Sequence, residues 1–174
     1  SARPESVDHR DHERIKTIRT APLFFVASAE PGLGEGPLGE GPVNVSPKGA
    51  VPLHLVSARR VAYLDLPGSG NETARHAAAG GPVTVMVCAF DEADAAIVRL
   101  YGHAHVLPLE SCAYAAELLA ARPDPMTSVR QVVEVDIERT MTSCGYGVPV
   151  MERVRERRRE DRGARYKPKA SAKT

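Results

Sequence analysis

Apolar runs of strand length recur along the chain and are separated by short polar turns. Residues 23–29 are a continuous apolar run that is typical of a strand with both faces buried, and the nearly continuous apolar run at residues 83–90 predicts a central strand. Residues 97–106 instead alternate between apolar and polar positions, as a strand with one solvated face does. Further strand patterns cover residues 43–46, 51–56, 61–66 and 131–137. The pattern therefore predicts six or seven short strands.

Helical patterns are fewer and shorter. Ile15 and Ile18, three residues apart, predict a short amphipathic helix over residues 13–20. Two more helices are predicted, over residues 72–79 and over the Ala- and Leu-rich residues 113–121. We predict a mainly β (α+β) fold, an antiparallel barrel that is closed or nearly closed, with a few short helices. From these patterns alone, an open α+β sheet remains the alternative.

Composition shifts divide the chain into three parts. Residues 1–22 are a polar arm with a short helix, residues 23–150 form the barrel domain, and residues 151–174 form a basic tail. Within the domain, residues 33–42 contain the pentapeptide Leu-Gly-Glu-Gly-Pro twice. Five residues make no packing unit, so we interpret this duplication as a flexible inserted loop.

The composition is ordinary for a globular protein, with 43% hydrophobic and 26% charged residues among 174. No apolar stretch has the length of a membrane helix, and the polar N-terminal residues do not resemble a secretory signal. Three widely spaced cysteines, Cys88, Cys112 and Cys144, suit reduced thiols better than a disulfide framework. We therefore expect a cytoplasmic protein without a membrane partner.

The net charge of +1 conceals an asymmetry between the tail and the rest of the chain. Residues 151–174 carry a net charge of +6, and the preceding residues carry −5. Basic and acidic residues alternate in the tail, and Tyr166 is its sole aromatic residue. A solvated helix explains this pattern better than a nucleic-acid surface does, so nucleic acid is an unlikely partner.

The segment VNVSPKG, residues 43–49, is the first candidate for binding chemistry. Its alternation predicts a half-buried strand, and Pro47, which has no N–H, is expected to end the pairing. Such a strand would bring an amide, a hydroxyl and a cation to one place, carried by Asn44, Ser46 and Lys48. That place could receive a polar, anionic ligand. An ordinary strand end with a surface lysine is the alternative.

A second candidate is the Gly-rich turn that follows the predicted strand at residues 61–66. Residues 67–76, PGSGNETARH, run from this turn into a helix. Ser69, Asn71 or Thr73 could cap that helix and leave free N–H groups for an anion, although most such turns are only caps. The glycine spacing fits neither the P-loop nor the dinucleotide fingerprint.

Five segments in this order, VNVSPKG, VAYLDLPGSGNET, VTVMVCAF, RLYGHAHV and TSCGYGVP, resemble the pyridoxamine 5′-phosphate oxidase-related family of FMN-binding proteins. The resemblance covers about residues 24–149. It implies a split β-barrel homodimer with FMN bound at the subunit interface. It does not imply pyridoxamine phosphate oxidation, because the family's Arg-containing C-terminal signature is not recognisable here.

FMN requires cations and N–H donors at its phosphate, and hydrogen bonds at its polar ring edge. The candidates for the phosphate and the ribityl chain are Lys48, Ser69, Asn71, Thr73 and Arg75. The resemblance implies that backbone near the ring comes from Asn44, Val45, Ser46, Asp65 and Leu66. No catalytic residue and no metal ligand is identified among them.

Two further side chains are candidates at the cofactor. Tyr146 lies between two glycines and could close a flavin pocket from the partner subunit, or be a packed residue of a turn. Cys144 beside it is interpreted as a structural, partly buried thiol. Arg99 shares a strand face with Tyr101, His103 and His105, and this row could line the cofactor or the dimer interface. A metal role for the two histidines lacks a third ligand.

We predict an FMN-binding oxidoreductase that transfers electrons from a reduced nicotinamide-type donor to an unidentified small acceptor. Redox chemistry belongs to the flavin, which is consistent with the lack of a visible acid–base set. The alternative is a non-catalytic flavin, deazaflavin or haem binding or sensor module on the same fold. A deazaflavin could use Arg59 and Arg60. The candidate axial ligands of a haem are His54, His76, His103 and His105.

Overall fold

The computed structural model describes residues 9–33, 42–68, 70–93, 95–126, 128–157 and 161. Its helices are α1 (His9–Thr20), α2 (Glu72–Ala78) and α3 (Ala115–Ala120). Its strands are β1 (Phe24–Ala29), β2 (Val43–Lys48), β3 (His54–Ser57), β4 (Arg60–Asp65), β5 (Pro82–Cys88), β6 (Ala96–Leu107) and β7 (Gln131–Cys144).

The strands form one antiparallel sheet in the order β2-β1-β5-β6-β7-β4-β3. Strands β2 and β3 are the two edges, and no ladder in the described part joins them. The sheet curls round so that a lysine on β2 bonds to an aspartate on β4 across the gap. The prediction of a mainly β split barrel with six or seven antiparallel strands and a few short helices is confirmed.

The sheet separates two apolar clusters. The barrel core lies on its inner face and includes Phe24, Val26, Val61, Tyr63, Val83, Val85, Val98, Leu100, Val133 and Val135. The α3 core lies on the opposite face, under α3, and comprises Val51, Ala62, Leu64, Cys112, Leu118 and Val132. Because successive strand residues point to opposite faces, β4 contributes alternately to both cores and is buried on both sides.

A bulge interrupts the pairing of the two longest strands, β6 and β7. The register shifts between Tyr101 and Gly102, so that Glu138 has no opposite residue on β6. A Cβ atom at Gly102 would collide with the carbonyl oxygen of Asp136, which explains the glycine at this position. The predicted alternation of β6 is confirmed, with Val98, Leu100 and Ala104 buried and the two histidines exposed.

Several predicted features of the strands were wrong. Pro47 does not end its ladder: β2 continues to Lys48, because an edge strand has one unpaired side and tolerates proline. Strand β1 is buried on alternate residues rather than on both faces. Strand β7 continues beyond residue 137 to Cys144, and β3 begins at His54 rather than at residue 51.

Parts of the predicted organisation lie outside the described residues. These parts are residues 1–8 of the arm, residues 34–41 of the inserted loop, and residues 158–160 and 162–174 of the tail. In the described part, no helix has both the length and the hydropathy needed to cross a membrane.

Candidate functional site

A cleft opens at the split of the barrel, between β2, the end of β4 and the start of α2. It holds a cavity of about 110 Å³, which is smaller than the usual small-molecule site of about 300–1,000 Å³, so a larger ligand would extend beyond it. Its lining is mostly polar and consists of Ser46, Lys48, Asp65, Gly70, Asn71, Glu72, Thr73, Ala74 and Val133.

Strand β2 presents its polar face to the cleft. Asn44, Ser46 and Lys48 are half-buried, whereas Val43 and Val45 point outward and are 58% and 62% exposed. The half-buried strand was therefore predicted correctly, but its buried face is the polar one. The reason is the pairing register of β2 with β1. It places the polar residues of β2 opposite Ser28, Val26 and Phe24, whose side chains point into the barrel.

Asn44 connects β2 to α2. Its Nδ2 donates to the hydroxyl of Ser46 at 3.1 Å and to the hydroxyl of Thr73 at 3.3 Å. Thr73 is almost fully buried in the first turn of α2. One amide and two hydroxyls thus meet at the mouth of the barrel, and all three are neutral donors and acceptors.

Asp65 is the charged centre of the cleft. The ammonium of Lys48 donates to its Oδ1 at 3.0 Å, and Nε2 of Gln131 donates to its Oδ2 at 2.9 Å. The same Nε2 also donates to Oδ1 of Asn71 at 3.0 Å. Lys48 further lies 5.6 Å above the ring of Tyr63, within range of a cation–π contact. The buried carboxylate is therefore paired across the split of the barrel.

Tyr63 lies next to these groups in the barrel core. Its hydroxyl is buried and has no hydrogen-bond partner among the described residues. Burial raises the pKa of this phenol far above its ordinary value, and the nearby carboxylate of Asp65 raises it further. Tyr63 is consequently neutral at any physiological pH.

Arg130 fixes the turn before α2. Its guanidinium donates to the carbonyl oxygens of Gly68 at 2.7 Å and Gly70 at 2.9 Å, and to Oδ1 of Asn71 at 3.1 Å. Its backbone N–H also donates to the carbonyl oxygen of Asp65 at 2.8 Å. These bonds tie the turn to β4 and β7. The role predicted for Ser69, within the same turn, lies outside the described residues.

Sequence reasoning missed Arg130 and Gln131. They lie at the start of an ordinary strand pattern and are about 60 residues away from the turn that they contact. The signal that could have found them is the β4–β7 ladder, which sets Gln131 directly opposite Asp65.

The start of α2 carries a negative charge rather than a free anion site. The helix has seven residues and begins after Asn71, whose side chain makes no capping bond. The carboxylate of Glu72 lines the cleft and packs so close to Gly70 that a Cβ atom there would collide with it. Arg75 lies 3.7 Å from that carboxylate and is not part of the lining.

The remaining predicted site residues lie elsewhere. Val45 faces outward, and Leu66 packs against the α3 core. Arg99 donates to the hydroxyl of Ser143 at 2.9 Å on the outer face of the sheet, and Tyr146 is 92% exposed. The structure thus brings together Asn44, Ser46, Lys48, Asp65, Asn71 and Thr73, all of which except Asn44 line the cleft. The predicted residues that do not line it are Val45, Leu66, Arg75, Arg99 and Tyr146.

A second polar cluster lies at the end of the β4–β7 ladder that is opposite to the cleft. Arg60 bonds to Asp136 at 2.7 Å and lies 3.7 Å from Glu134, which also accepts a hydrogen bond from Tyr114. Asp136 also bonds to His105 at 3.1 Å. The hydrogen bond and charge of Arg60 lower the pKa of Asp136, whereas burial, followed by the bond to Glu134, raises the pKa of Tyr114.

The four histidines considered as haem ligands all have partners. His76 is buried and lies 2.9 Å from the hydroxyl of Ser28, and His54 stacks on Tyr114. His103 lies 2.7 Å from Glu138, and His105 bonds to Asp136. Across the described residues no group of three His, Cys, Asp or Glu side chains could hold a metal ion. Cys144, which was predicted to be partly buried, is exposed.

Comparison of sequences identifies one informative relative. The chain is 37% identical over 133 residues to the pyridoxamine 5′-phosphate oxidase family protein ustO of Aspergillus flavus. The aligned region covers 75% of the chain and 50% of that protein, so the chain spans half the length of this relative. A search against family models gives no match. The resemblance seen in the sequence is confirmed by this relative.

Solved structures share the fold at low sequence identity. An FMN-binding protein from Syntrophomonas wolfei superposes with a TM-score of 0.55 and 11% identity, over 76% of this chain and 88% of that one. A FAD-binding protein from Mesorhizobium loti gives 0.52 and 16% identity, over 75% of this chain and 90% of that one. At these identities the likeness shows the fold alone.

Proposed function

Since the chain belongs to the pyridoxamine 5′-phosphate oxidase-related family of split-barrel proteins, we propose that it is a flavin-binding oxidoreductase whose cofactor occupies the cleft. The observation that carries this proposal is the cleft itself, which opens at the split of the barrel and is lined by hydrogen-bonding groups from three elements. FMN, which the sequence resemblance implies, is the flavin that we propose.

The neutral groups of the cleft suit the neutral part of a flavin. Ribityl hydroxyls and the polar edge of the ring both donate and accept hydrogen bonds, as amides and hydroxyls do. Such groups are supplied in the lining by Ser46, Asn71 and Thr73. Asn44 and Gln131 lie next to the lining and are hydrogen-bonded to it. Lys48 and Asp65 lie among them as an ion pair. We assign the binding and orientation of the flavin to these residues.

A bound flavin would supply the redox chemistry, and the chain would supply binding, orientation and shielding from water. We propose a reduced nicotinamide-type donor and a small-molecule acceptor. In the described cleft no histidine or cysteine accompanies the lysine and the two carboxylates. This lining is consistent with a site in which the cofactor, rather than a side chain, carries out the proton and electron transfer.

We further propose that two copies of the chain pair through the outer face of the sheet. Register partners share a face, so Pro47, Phe25, Met86, Arg99 and Met141 form one row across five strands. Beside this row Val43 and Val45 leave apolar surface exposed. Burial of such a patch between two subunits would be favourable. Light scattering should give twice the mass of one chain.

This pairing would give Arg99 and Tyr146 a role that the single chain does not. Arg99 belongs to the outer row, and Tyr146 projects from the turn after β7, so both are available to a second copy. We propose that they contact the cofactor or close the pocket from the partner subunit. A monomer at micromolar concentration would contradict this part of the proposal.

Redox activity is tested by anaerobic addition of NADH or NADPH to the flavin-loaded protein. Loss of the flavin's visible absorption, and its return with air, would support an oxidoreductase. A flavin that stays bound and is reduced by neither donor would favour the non-catalytic binding module instead.

A further inference from the structure

The side chain of Asn71 does not cap the helix that it precedes. An asparagine at this position commonly does so, because its side-chain oxygen accepts a bond from a free N–H group of the first turn. Here that side chain makes no capping bond with α2. Its Oδ1 instead accepts from Nη1 of Arg130 at 3.1 Å and from Nε2 of Gln131 at 3.0 Å. The oxygen of Asn71 is therefore directed at the start of β7.

The partners of the two amides also decide which atom of each is the oxygen. A guanidinium can only donate, so the atom of Asn71 that bonds to Arg130 is its oxygen. A carboxylate can only accept, so the atom of Gln131 that lies 2.9 Å from Asp65 is its nitrogen. That nitrogen donates both to Asp65 and to Asn71. Neither amide can be flipped without the loss of these bonds.

The amide nitrogen of Asn71 remains available as a donor. Asn71 lines the cleft, and its Nδ2 donates to no group in the described part of the chain. Among the described residues Tyr63 has the one buried side-chain polar atom without a partner, so Nδ2 of Asn71 is accessible. Asn44, by contrast, uses its Nδ2 on the hydroxyls of Ser46 and Thr73. The lining thus presents a donor of fixed polarity at Asn71.

We infer that Arg130 and Gln131 are positioning residues, which hold Asn71 so that its Nδ2 donates to an oxygen of the flavin ring or ribityl chain. This inference rests on the proposed function, because it concerns the flavin that the cleft takes. Ring carbonyls and ribityl hydroxyls both accept such a bond. They belong to the part that riboflavin and FMN share, so both flavins use this donor.

The experiment is a titration of the full chain with riboflavin and with FMN, followed by flavin fluorescence. Asn71→Asp replaces the Nδ2 group with an oxygen and keeps an oxygen within reach of Arg130 and Gln131. Both flavins should bind at least about tenfold more weakly, because a donor is lost and an acceptor faces an acceptor. Riboflavin has no net charge, so repulsion by the new carboxylate does not explain its loss.

A purely structural role predicts a different result for the same variant. If Asn71 only ties the turn to β7, Asn71→Asp retains those bonds, and both affinities stay within about twofold of the wild type. That result would overturn the inference. A loss confined to FMN would place the phosphate at Asn71 and would also overturn it.

Ala78→Asp is the matched control, because it adds the same charge at an exposed position of α2 outside the lining. It should alter neither affinity. Far-UV circular dichroism checks that each variant is folded. Asn71→Ala adds no charge and is the second variant if the aspartate disturbs the fold. It should weaken both flavins by about fivefold, and unchanged binding would contradict the inference.

The positioning role is tested by a double-mutant cycle. Arg130 also holds the carbonyl oxygens of Gly68 and Gly70, so Gln131 gives the cleaner test. Gln131→Met removes one of the two donors that hold Asn71. It should weaken riboflavin by about threefold in the wild type and by less than about 1.5-fold in the Asn71→Ala background. Equal factors in the two backgrounds would show that Gln131 does not act through Asn71.

The remaining outcomes separate the two levels of the argument. A wild-type chain that binds both flavins, with Asn71 variants that bind them equally well, overturns the inference and leaves flavin binding in place. A protein that binds neither riboflavin nor FMN overturns the proposed function and the inference together.

Discussion

The two ends of the β4–β7 ladder both carry polar side chains, and they differ in what surrounds them. At one end Asp65 lies opposite Gln131, on the inner face of the sheet, and both reach the cleft region with Lys48 and Asn71. At the other end Arg60 lies opposite Asp136, on the outer face. There the charged groups bond mainly to one another, through Glu134 and His105.

This contrast separates a structural cluster from a binding site. Both ends hold ionisable groups with a perturbed pKa, that of Tyr114 being raised at the outer end and that of Tyr63 at the inner end, and the charges of the outer end are matched within the chain. The inner end has open space beside neutral amides and hydroxyls. Perturbed titration also accompanies structural ion pairs, so here the cleft is the better guide to function.

The largest expected effect comes from filling the cleft. Ala74 lines it from α2, and Ala74→Trp would place an indole where we propose that the flavin binds. We expect riboflavin affinity to fall by at least about thirtyfold, measured by fluorescence titration. Ala78→Trp is the control, since Ala78 is an exposed residue of the same helix outside the lining. Equal riboflavin affinity in the two variants would show that the flavin does not bind in this cleft.

A smaller effect should separate the outer end of the ladder from the site. Tyr114→Phe removes the hydroxyl that donates to Glu134, a carboxylate only 8% exposed. Leaving that oxygen without its donor should lower the free energy of unfolding by about 1 kcal/mol in urea titrations. Riboflavin affinity should not change. Tyr146→Phe is the matched control, because the hydroxyl it removes belongs to a side chain that is 92% exposed in the single chain, and it should leave the stability unaltered.

If Tyr114→Phe also lowered the flavin affinity, the outer end of the ladder would affect flavin binding. That result would contradict our interpretation of the two ends as a structural cluster and a separate binding site. A loss of stability in Tyr146→Phe as large as that in Tyr114→Phe would show that the measured cost is not due to the buried bond to Glu134.

The smallest expected effect is a pH dependence of stability at Asp136. The hydrogen bond from Arg60 lowers the pKa of this carboxyl below its unfolded value of about 3.9. The ionised form therefore stabilises the fold at neutral pH, and this contribution is lost as the pH falls below about 4 towards the lower folded pKa. Since the carboxylate is 41% exposed, solvent screening should keep the contribution below about 1 kcal/mol.

Urea titrations of the wild type and Asp136→Asn between about pH 3 and pH 6 measure this contribution. The wild type should lose more stability than the variant on acidification, and the difference should shrink in high salt. Parallel pH profiles would show that the bond between Arg60 and Asp136 contributes nothing measurable.

Much of the fold could be predicted because strand length and alternation are local properties of the sequence. Residues Asn44, Ser46, Asn71 and Thr73 were also found in this way, since each lies in a strand or at a helix start, whereas Asp65 was named only because the family resemblance implied backbone near the ring. Arg130 and Gln131 could not be found, because their contacts depend on the pairing of β7 with β4. Local patterns carry no information on that register.

The orientation of β2 shows a second limit. Alternation of period two separates the valines from Asn44 and Ser46, but it does not say which set points into the barrel. The structure places the apolar set outside, on the face that we propose a second copy covers. A surface that is buried between subunits has the same pattern as a core face.

The central claim is that the cleft binds a flavin, and one measurement tests it most directly. The purified chain is incubated with riboflavin or FMN, separated from free ligand by gel filtration, and its absorption spectrum is recorded. We predict that the protein peak retains the visible absorption of an oxidised flavin, and that the released chromophore has the mass of the flavin added. A colourless protein peak after both incubations would contradict the account.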